Sequence, residues 1–215
     1  MDPREALTRE ALRLHQRYQH ELVERFSVCP WAKPARTDGR VHAHVVTEAP
    51  CSVETLGSAL ASWVADETVD VAFVILPLFD EGPDALSELA SAVGDRSDGA
   101  FLTAPFHPIS SPGDGIVSFL RQTPDPTVQL VRRTTLEAIR AQDPPHYKDI
   151  FDLDLRDLEA KKAPRTTAAS VFAHNERMLE REGRAKVQAI VAVSYTHLTL
   201  PTMIIRCRSR WGGGG

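Results

Sequence analysis

Apolar residues recur at steps of three and four along the first part of the chain, and charged residues fill the positions between them. This spacing predicts one amphipathic helix from about Pro3 to Ser27. Cys29-Pro30 ends the helix, because a residue before proline is disfavoured in the helical region. The apolar stripe consists of Leu7, Ala11, Leu14, Tyr18, Leu22 and Phe26.

Three later segments have the patterns of β-strands. Residues 40–47 alternate apolar and polar side chains, which predicts a strand with one polar face. Residues 69–76 and 99–106 are nearly unbroken apolar runs, a pattern typical of strands covered on both faces. The segments 52–64 and 84–93, which separate these runs, have helical spacing.

Alternating strands and helices predict an α/β fold. We expect a small, mostly parallel sheet of three or four strands, with helices packed on it and a helical C-terminal part. A short helix is predicted over 116–120. Asp125-Pro126-Thr127 then predicts the capped start of a helix over 128–139, and a strand over 128–132 is the alternative. The last helix is expected over 170–192.

The C-terminal end differs from the rest of the chain. Val193–Thr202 resembles the translation of a transposase-type sequencing adapter, and Cys207–Trp211 resembles its outer flank; the four final glycines fit a run of poly-G. We therefore predict a single α/β domain over 1–192, followed by a non-native tail over 193–215. An ordinary strand over 198–206 is the alternative.

Composition narrows the class of protein. The chain has 215 residues, 42% of them hydrophobic and 25% charged, which is ordinary for one soluble domain. The formal net charge is -4, and the predicted tail carries three arginines and no acid, so the remaining chain is more acidic still. This balance argues against a nucleic-acid partner, because phosphate contacts need a concentrated basic surface.

Targeting signals and cysteines suggest a location. No apolar run approaches the roughly 20 residues that span a bilayer, so we expect no membrane association. The N-terminus lacks the pattern of a signal peptide, which predicts a cytoplasmic protein. Outside the predicted tail the cysteines are Cys29 and Cys51, and a reducing compartment predicts two free thiols.

Three short motifs carry a family resemblance. Cys29-Pro-Trp-Ala32, Phe106-His-Pro108 and Arg121-x-x-Pro-x-Pro126 occur in this order. Together they resemble the bacterial domain-of-unknown-function family 1415. The resemblance runs from the N-terminal helix through Asn175, and it implies that Arg132 and Asn175 also occupy family positions. The family has no established activity, so the resemblance implies where a site lies but no reaction.

Cys29 is the first candidate for chemistry. A thiol beside a turn can become a thiolate when amide groups or cations lower its pKa, and it then acts as a nucleophile. Redox exchange has less support, because Ala32 stands where a glutaredoxin-like site would carry a second cysteine. The alternative is a structural role, since free cysteines are commonly small buried apolar residues.

His107 and the arginines complete the candidate site. His107 follows the apolar run 99–106, and ligands in open α/β sheets collect beyond the carboxyl ends of strands. There it can transfer a proton, or anchor a loop by a hydrogen bond. The guanidinium forks of Arg121 and Arg132 suit a carboxylate or phosphate, with an internal ion pair or a helix C-terminal contact as the alternative, favoured for Arg132. Asn175 can orient the loop from the other side.

We therefore expect a small anionic ligand in a pocket at the strand ends, formed by Cys29, His107, Arg121 and Arg132. Such a protein is an enzyme or a binding protein. The competing hypothesis is a non-enzymatic interaction or regulatory module in which these residues are structural. His42 and His44 share one strand face and are a candidate metal pair, but two polar residues on a solvated strand face explain them as well, so we expect no metal. The sequence contains no glycine-rich phosphate loop, serine elbow or zinc spacing, and we expect no cofactor.

Overall fold

A computed structural model of the chain describes residues 2–109, 115–141 and 167–196. It confirms the α/β class, since helices pack on both faces of a four-stranded sheet. The strands are β1 (Val41–Val45), β2 (Val71–Ile75), β3 (Phe101–Phe106) and β4 (Thr127–Arg132). The helices are α1 (Pro3–Tyr18), α2 (Ala32–Thr37), α3 (Gly57–Ala65), α4 (Pro83–Arg96), α5 (Ile116–Leu120), α6 (Arg133–Ala141), α7 (Thr167–Glu182) and α8 (Arg184–Thr196).

The sheet is mixed, so the prediction of a mostly parallel sheet was wrong. Its strand order is β1-β2-β4-β3. β1 and β2 are parallel, whereas β4 lies between β2 and β3 and is antiparallel to both. The chain turns back after β3 through the short α5, so β4 returns in the opposite direction. The C-terminal ends of β1, β2 and β3 therefore lie along the same side of the sheet. We call this line of strand ends one edge of the sheet, and the C-terminal end of β4 lies at the opposite edge.

The prediction of a helix over 128–139 was also wrong in its first half. Thr127–Arg132 is a strand, which was the alternative, and the helix α6 begins only at Arg133. Val128 and Leu130 of this strand are completely buried, while Gln129 and Val131, which follow them in turn, are half-buried. Alternate burial of this kind has the two-residue period of a strand. Pairing of β4 with β2 and β3 overrides the helix-cap pattern of Asp125-Pro126-Thr127.

The larger core lies between one face of the sheet and the helices α3 and α4. Ala72 and Val74 of β2 pack there beside Val128 and Leu130 of β4. The helices contribute the buried side chains of Leu60, Trp63, Leu86, Ala90 and Val93. Such close contact removes most of this apolar surface from water, which is the main favourable term in folding.

The opposite face of the sheet is covered by α1. Ala11 packs against Phe73 and Ile75 of β2, with Val41 and Val45 of β1 alongside. The predicted N-terminal helix is present, but after Tyr18 it continues as a π-helix over Gln19–Glu24. A π-helix inserts one residue per turn relative to an α-helix and commonly marks a functional region.

A third group of buried residues joins the two ends of the chain. Tyr18, Leu22 and Phe26 contact Met178 and Leu179 of α7, together with Val187 of α8 and two residues of α5, Ile116 and Leu120. The terminal helix that the sequence predicts is in fact two helices, because Gly183, with φ of 81°, interrupts it. A left-handed residue of this kind ends an α-helix, and glycine adopts it without strain.

Parts of the predictions lie outside the described residues. The loop between Ile109 and Gly115 and the stretch 142–166 are among them. The predicted tail lies outside from residue 197 onward, whereas its first residues, 193–196, continue α8. Within the described residues no helix is both long enough and apolar enough to cross a membrane.

Candidate functional site

The edge of the sheet where β3 ends carries two of the predicted site residues. His107 directly follows β3, and Phe106 is paired with Thr127 at the start of β4. Arg121 precedes the buried turn that leads into β4, and its guanidinium carbon lies 5.6 Å from the centre of the Phe106 ring. The structure therefore brings His107 and Arg121 to the same strand end, as the sequence predicts.

Both ring nitrogens of His107 are engaged in hydrogen bonds. The N–H of Ile109 donates to Nδ1 at 3.1 Å, so the proton of a neutral ring lies on Nε2. Nε2 then donates to the carbonyl oxygen of Glu81 at 3.2 Å. The imidazole thus ties the loop after β3 to the segment after β2. This arrangement is the loop-anchoring alternative, and it leaves neither nitrogen ready to move a proton.

Arg121 is the second predicted site residue at this strand end, and it lacks a counter-ion in the described part of the chain. No carboxylate among residues 2–109, 115–141 and 167–196 forms an ion pair with it. Its side chain reaches the surface, yet burial of the guanidinium lowers its pKa, and the nearby Tyr18 acts in the opposite direction. A partly desolvated cation without a partner is the arrangement that favours binding of an anion.

A buried polar turn follows Arg121, and sequence reasoning missed it. Residues 122–127 are all buried. Thr123 donates its hydroxyl hydrogen to the carbonyl of Asp125 at 2.7 Å, and Thr127 does the same at 2.8 Å. The carbonyl of Pro126 accepts from the N–H of Leu76. The signal was the pair of threonines around two prolines, since threonine hydroxyls satisfy backbone groups in turns.

Arg132 lies at the opposite edge of the sheet. It ends β4 and is paired with Phe101, the first residue of β3, so the length of a six-residue strand, roughly 17 Å, separates it from the end where His107 lies. Its guanidinium donates to three carbonyl oxygens within 2.7 Å, those of Val69, Trp63 and Asp66. Trp63 and Asp66 lie at the C-terminal end of α3. The alternative of a helix C-terminal contact is therefore the correct interpretation of Arg132.

Cys29 lies in the turn between the π-helix and α2. The residue as a whole is exposed, but its thiol is surrounded closely enough that burial raises its pKa. The backbone amides of Trp31 and Ala32 act to lower the pKa, but they do not overcome the effect of burial. No cation contributes to the shift. A raised pKa reduces the thiolate fraction at neutral pH, so the environment does not activate Cys29 as a nucleophile.

Asn175 braces the turn that precedes Cys29. Its Nδ2 donates to the carbonyl of Val28 at 3.2 Å, and the neighbouring His174 contacts the carbonyl of Phe26 through Nε2 at 3.0 Å. Between these two carbonyls lies Ser27, whose φ of 51° is left-handed and strained for a residue other than glycine. Asn175 thus orients a loop, as the sequence predicts, but the loop is the one that holds Cys29.

A cleft opens where β1 and β2 end. Its volume is about 50 Å³, room for a few water molecules and well below the roughly 300 Å³ of a typical small-molecule site. Its walls are acidic, with Glu48, Asp80 and Glu81, and apolar, with Phe79. Cys51 also lines it, and burial raises the pKa of this thiol.

His44, one of the two histidines on β1, packs against an aromatic side chain. The ring of His44 meets Trp63 edge-on, with 6.4 Å between the ring centres. Among the residues that the structure describes, no group of three or more histidine, cysteine, aspartate or glutamate side chains is placed to hold a metal ion.

The four residues predicted to form one pocket therefore do not share one location. His107 and Arg121 lie at the end of β3, and Arg132 lies at the other edge of the sheet. No family model, curated protein or solved structure matches the chain. The resemblance to the domain-of-unknown-function family stays a prediction.

Proposed function

We propose that the protein binds a small anionic ligand at the end of β3, with Arg121 as the group that holds the anion. One observation carries the proposal. The guanidinium of Arg121 is partly desolvated over Phe106, and no carboxylate of the described residues neutralises it. Binding of a carboxylate or phosphate there replaces lost hydration with charge-assisted hydrogen bonds.

Binding without catalysis is the form of this function that the surroundings favour. The two ring nitrogens of His107 hold the loop, and burial raises the pKa of Cys29. A proton carrier and an activated nucleophile are the groups that an enzyme of the predicted type needs. In our proposal His107 fixes the loop beside the anion, the protein is cytoplasmic, and it belongs to the family that its motifs resemble.

Anion titrations test the proposal directly. Sulfate, inorganic phosphate and acetate are added at constant ionic strength, and backbone amide chemical shifts are followed by NMR. We expect saturable shifts at residues 106–107 and 121–123 with a dissociation constant in the millimolar range, about -4 kcal/mol. Arg121→Ala should weaken binding at least about tenfold.

Arg25→Ala is the matched control. Arg25 is also exposed and lies over a phenylalanine, with 5.4 Å from its guanidinium carbon to the centre of the Phe26 ring. The variant removes the same charge and the same type of aromatic contact, so its affinity for anions should equal that of the original chain. Equal weakening by both substitutions would indicate general charge attraction and would contradict a site at Arg121.

The interaction module is the second candidate, and specific contacts favour it. Arg132, His107 and Asn175 all bind backbone carbonyls, which is the bracing role that this alternative assigns to them. Ile109, beside His107, leaves 66% of its surface exposed. If none of the three anions produces saturable shifts, the module becomes the better hypothesis and Ile109 the first position to substitute in a search for partners.

A further inference from the structure

His15 is a buried histidine between α1 and the sheet. Only 5% of its surface is exposed. Its ring centre lies 4.6 Å from that of Phe73 on β2 and 6.3 Å from that of Tyr18, one turn further along α1. Nothing in the anion site uses this residue, and the N-terminal amphipathic pattern does not predict a histidine on the buried face.

The hydrogen bonding of His15 is incomplete. Its Nε2 is 3.5 Å from the side-chain nitrogen of Gln19, which can donate only when Nε2 is unprotonated. The proton of the neutral ring then lies on Nδ1, which has no hydrogen-bond partner among the residues that the structure describes. Protonation of Nε2 would place two donors against each other. The site as it stands therefore accepts the neutral imidazole, and it offers an acceptor to the cation only if the Gln19 amide turns its oxygen toward Nε2.

Among the described residues, no charged group compensates for protonation of His15. Burial alone lowers the pKa of His15 to about 4, with no contribution from a carboxylate or a cation. Phe73 faces the ring from β2, and Tyr18, the titratable group in contact with it, donates its hydroxyl to Leu120. Charged side chains on the elements around His15 contact other groups. Arg13 pairs with Glu10, Arg17 with Glu21, Arg40 with Asp70 and Lys186 with Glu182, and Arg184 lies over Phe119.

We propose that His15 makes the packing of α1 on the sheet sensitive to acid, so that uptake of one proton releases α1 and the π-helix while the sheet stays folded. The position supports such a local release. The π-helix begins at Gln19, beside the imidazole, and elements with irregular hydrogen bonding open at lower free energy than a sheet core. β2 and β4 remain paired with each other and covered by α3 and α4 on the other face.

One hydrogen bond links α1 to the candidate anion site, so release of α1 affects that site. The hydroxyl of Tyr18 donates to the carbonyl of Leu120 at 2.9 Å, and Leu120 immediately precedes Arg121. Loss of this contact frees the segment that positions the guanidinium. The acid-sensitive packing stands on its own observations, but this coupling rests on the proposed function, and acid is then expected to weaken anion binding.

Hydrogen exchange of backbone amides tests the release. Between pH 7 and pH 5 the opening equilibrium of α1, corrected for intrinsic exchange, should rise about 20-fold for one proton taken up at a group whose pKa changes from roughly 6.5 to about 4. The amides of β2 should lack this rise. His15→Phe keeps an aromatic ring but cannot be protonated, and it should abolish the rise in α1.

His20→Gln is the matched control, because His20 is an exposed histidine in the neighbouring π-helix. It should retain the full rise. An equal pH dependence in the His15→Phe variant, or a parallel opening of β2, would overturn the proposal. If His15→Phe does not fold, an NMR titration of the His15 ring in the original chain decides, since protonation near pH 6.5 with α1 still protected is incompatible with the proposal.

Sulfate binding, measured at the same two pH values, separates the two proposals. Weaker binding at pH 5 in the original chain, but not in His15→Phe, supports the coupling. Absence of sulfate binding at both pH values would refute the anion site and leave the exchange result for α1 unaffected.

Discussion

At each of the two edges of the sheet an arginine lies over a phenylalanine, but the two arginines differ in their other contacts. At the edge where β4 ends, Arg132 lies 4.7 Å from the ring centre of Phe101 and donates to three carbonyl oxygens. At the other edge Arg121 lies over Phe106 and has neither a carbonyl acceptor nor a carboxylate within the described residues. Arg132 therefore has a structural role, whereas the proposed role of Arg121 is to bind an anion.

The comparison shows that neighbouring backbone decides the role of an arginine. Arg132 emerges beside the end of α3, where the last carbonyls of a helix lack intrahelical partners and attract a cation. Arg121 precedes a turn whose carbonyls are already satisfied by Thr123, Thr127 and Leu76. Similar residue types at the ends of the same strand thus acquire a structural role in one place and a potential binding role in the other.

The largest effect is expected from Arg132→Ala. The substitution leaves three carbonyl groups without their donors and removes a charge-assisted contact with the end of α3. We expect the free energy of unfolding to fall by about 3–4 kcal/mol, because each hydrogen bond from a charged group contributes roughly 1.5–3 kcal/mol and the three are not additive. Urea denaturation measures the change.

Arg121→Ala is the paired substitution at the other edge. It removes a partly desolvated charge that has no ion-pair partner in the described part, so unfolding stability should change by less than about 1 kcal/mol. A loss as large as that of Arg132→Ala would show that Arg121 is also structural, and the contrast between the two edges would be wrong.

The next prediction concerns acid, which should destabilise the packing of α1 and leave the contacts of Arg132 intact. The low pKa of buried His15 stabilises the fold fully above its unfolded value of roughly 6.5, and this contribution is lost as the pH falls toward about 4. The complete shift corresponds to about 3 kcal/mol. Urea midpoints between pH 7 and pH 4 should therefore fall less in His15→Phe than in the original chain. Contacts of Arg132, away from α1, should persist in the partly opened state.

The fold was predictable to the extent that local patterns carried it. The amphipathic N-terminal helix and the apolar strands 71–75 and 101–106 follow from periodicity alone. The direction of β4 does not, because a run such as Val128–Arg132 has the same residues whether it pairs parallel or antiparallel. Pairing of distant segments fixes that direction, and single-residue propensities contain little information on it.

For the candidate site, the sequence indicated a position better than a chemistry. The rule that ligands lie beyond strand ends pointed to the end of β3, where the structure places His107 and Arg121. It could not show that β4 carries Arg132 away to the other edge, since this depends on strand direction. The engagement of Nε2 of His107 depends on Glu81, which is distant in sequence and has no motif of its own.

Tyr18→Phe should have a smaller effect on unfolding stability than Arg132→Ala or the protonation of His15. It deletes one buried hydroxyl and leaves the carbonyl of Leu120 without its donor, which should cost about 1–2 kcal/mol of unfolding stability. Because Leu120 adjoins Arg121, sulfate affinity should also fall, whereas the amide shifts of Arg132 should not change. Amide NMR during the titration measures both. An unaltered affinity would show that Tyr18 does not position Arg121.

The smallest expected effect concerns Cys29, whose thiol we expect to titrate independently of His107 and Arg121. Burial raises the pKa of this thiol, so its alkylation rate should titrate above the roughly 8.5 of a free cysteine. The profile should be unchanged in His107→Ala and Arg121→Ala, because neither side chain contributes to the shift. Alkylation against pH is measured in a Cys51→Ser background, since Cys51 is also a free thiol. A profile that moves upward in either variant would mean that the cation or the imidazole stabilises the thiolate, and it would restore the joint site that the raised pKa argues against.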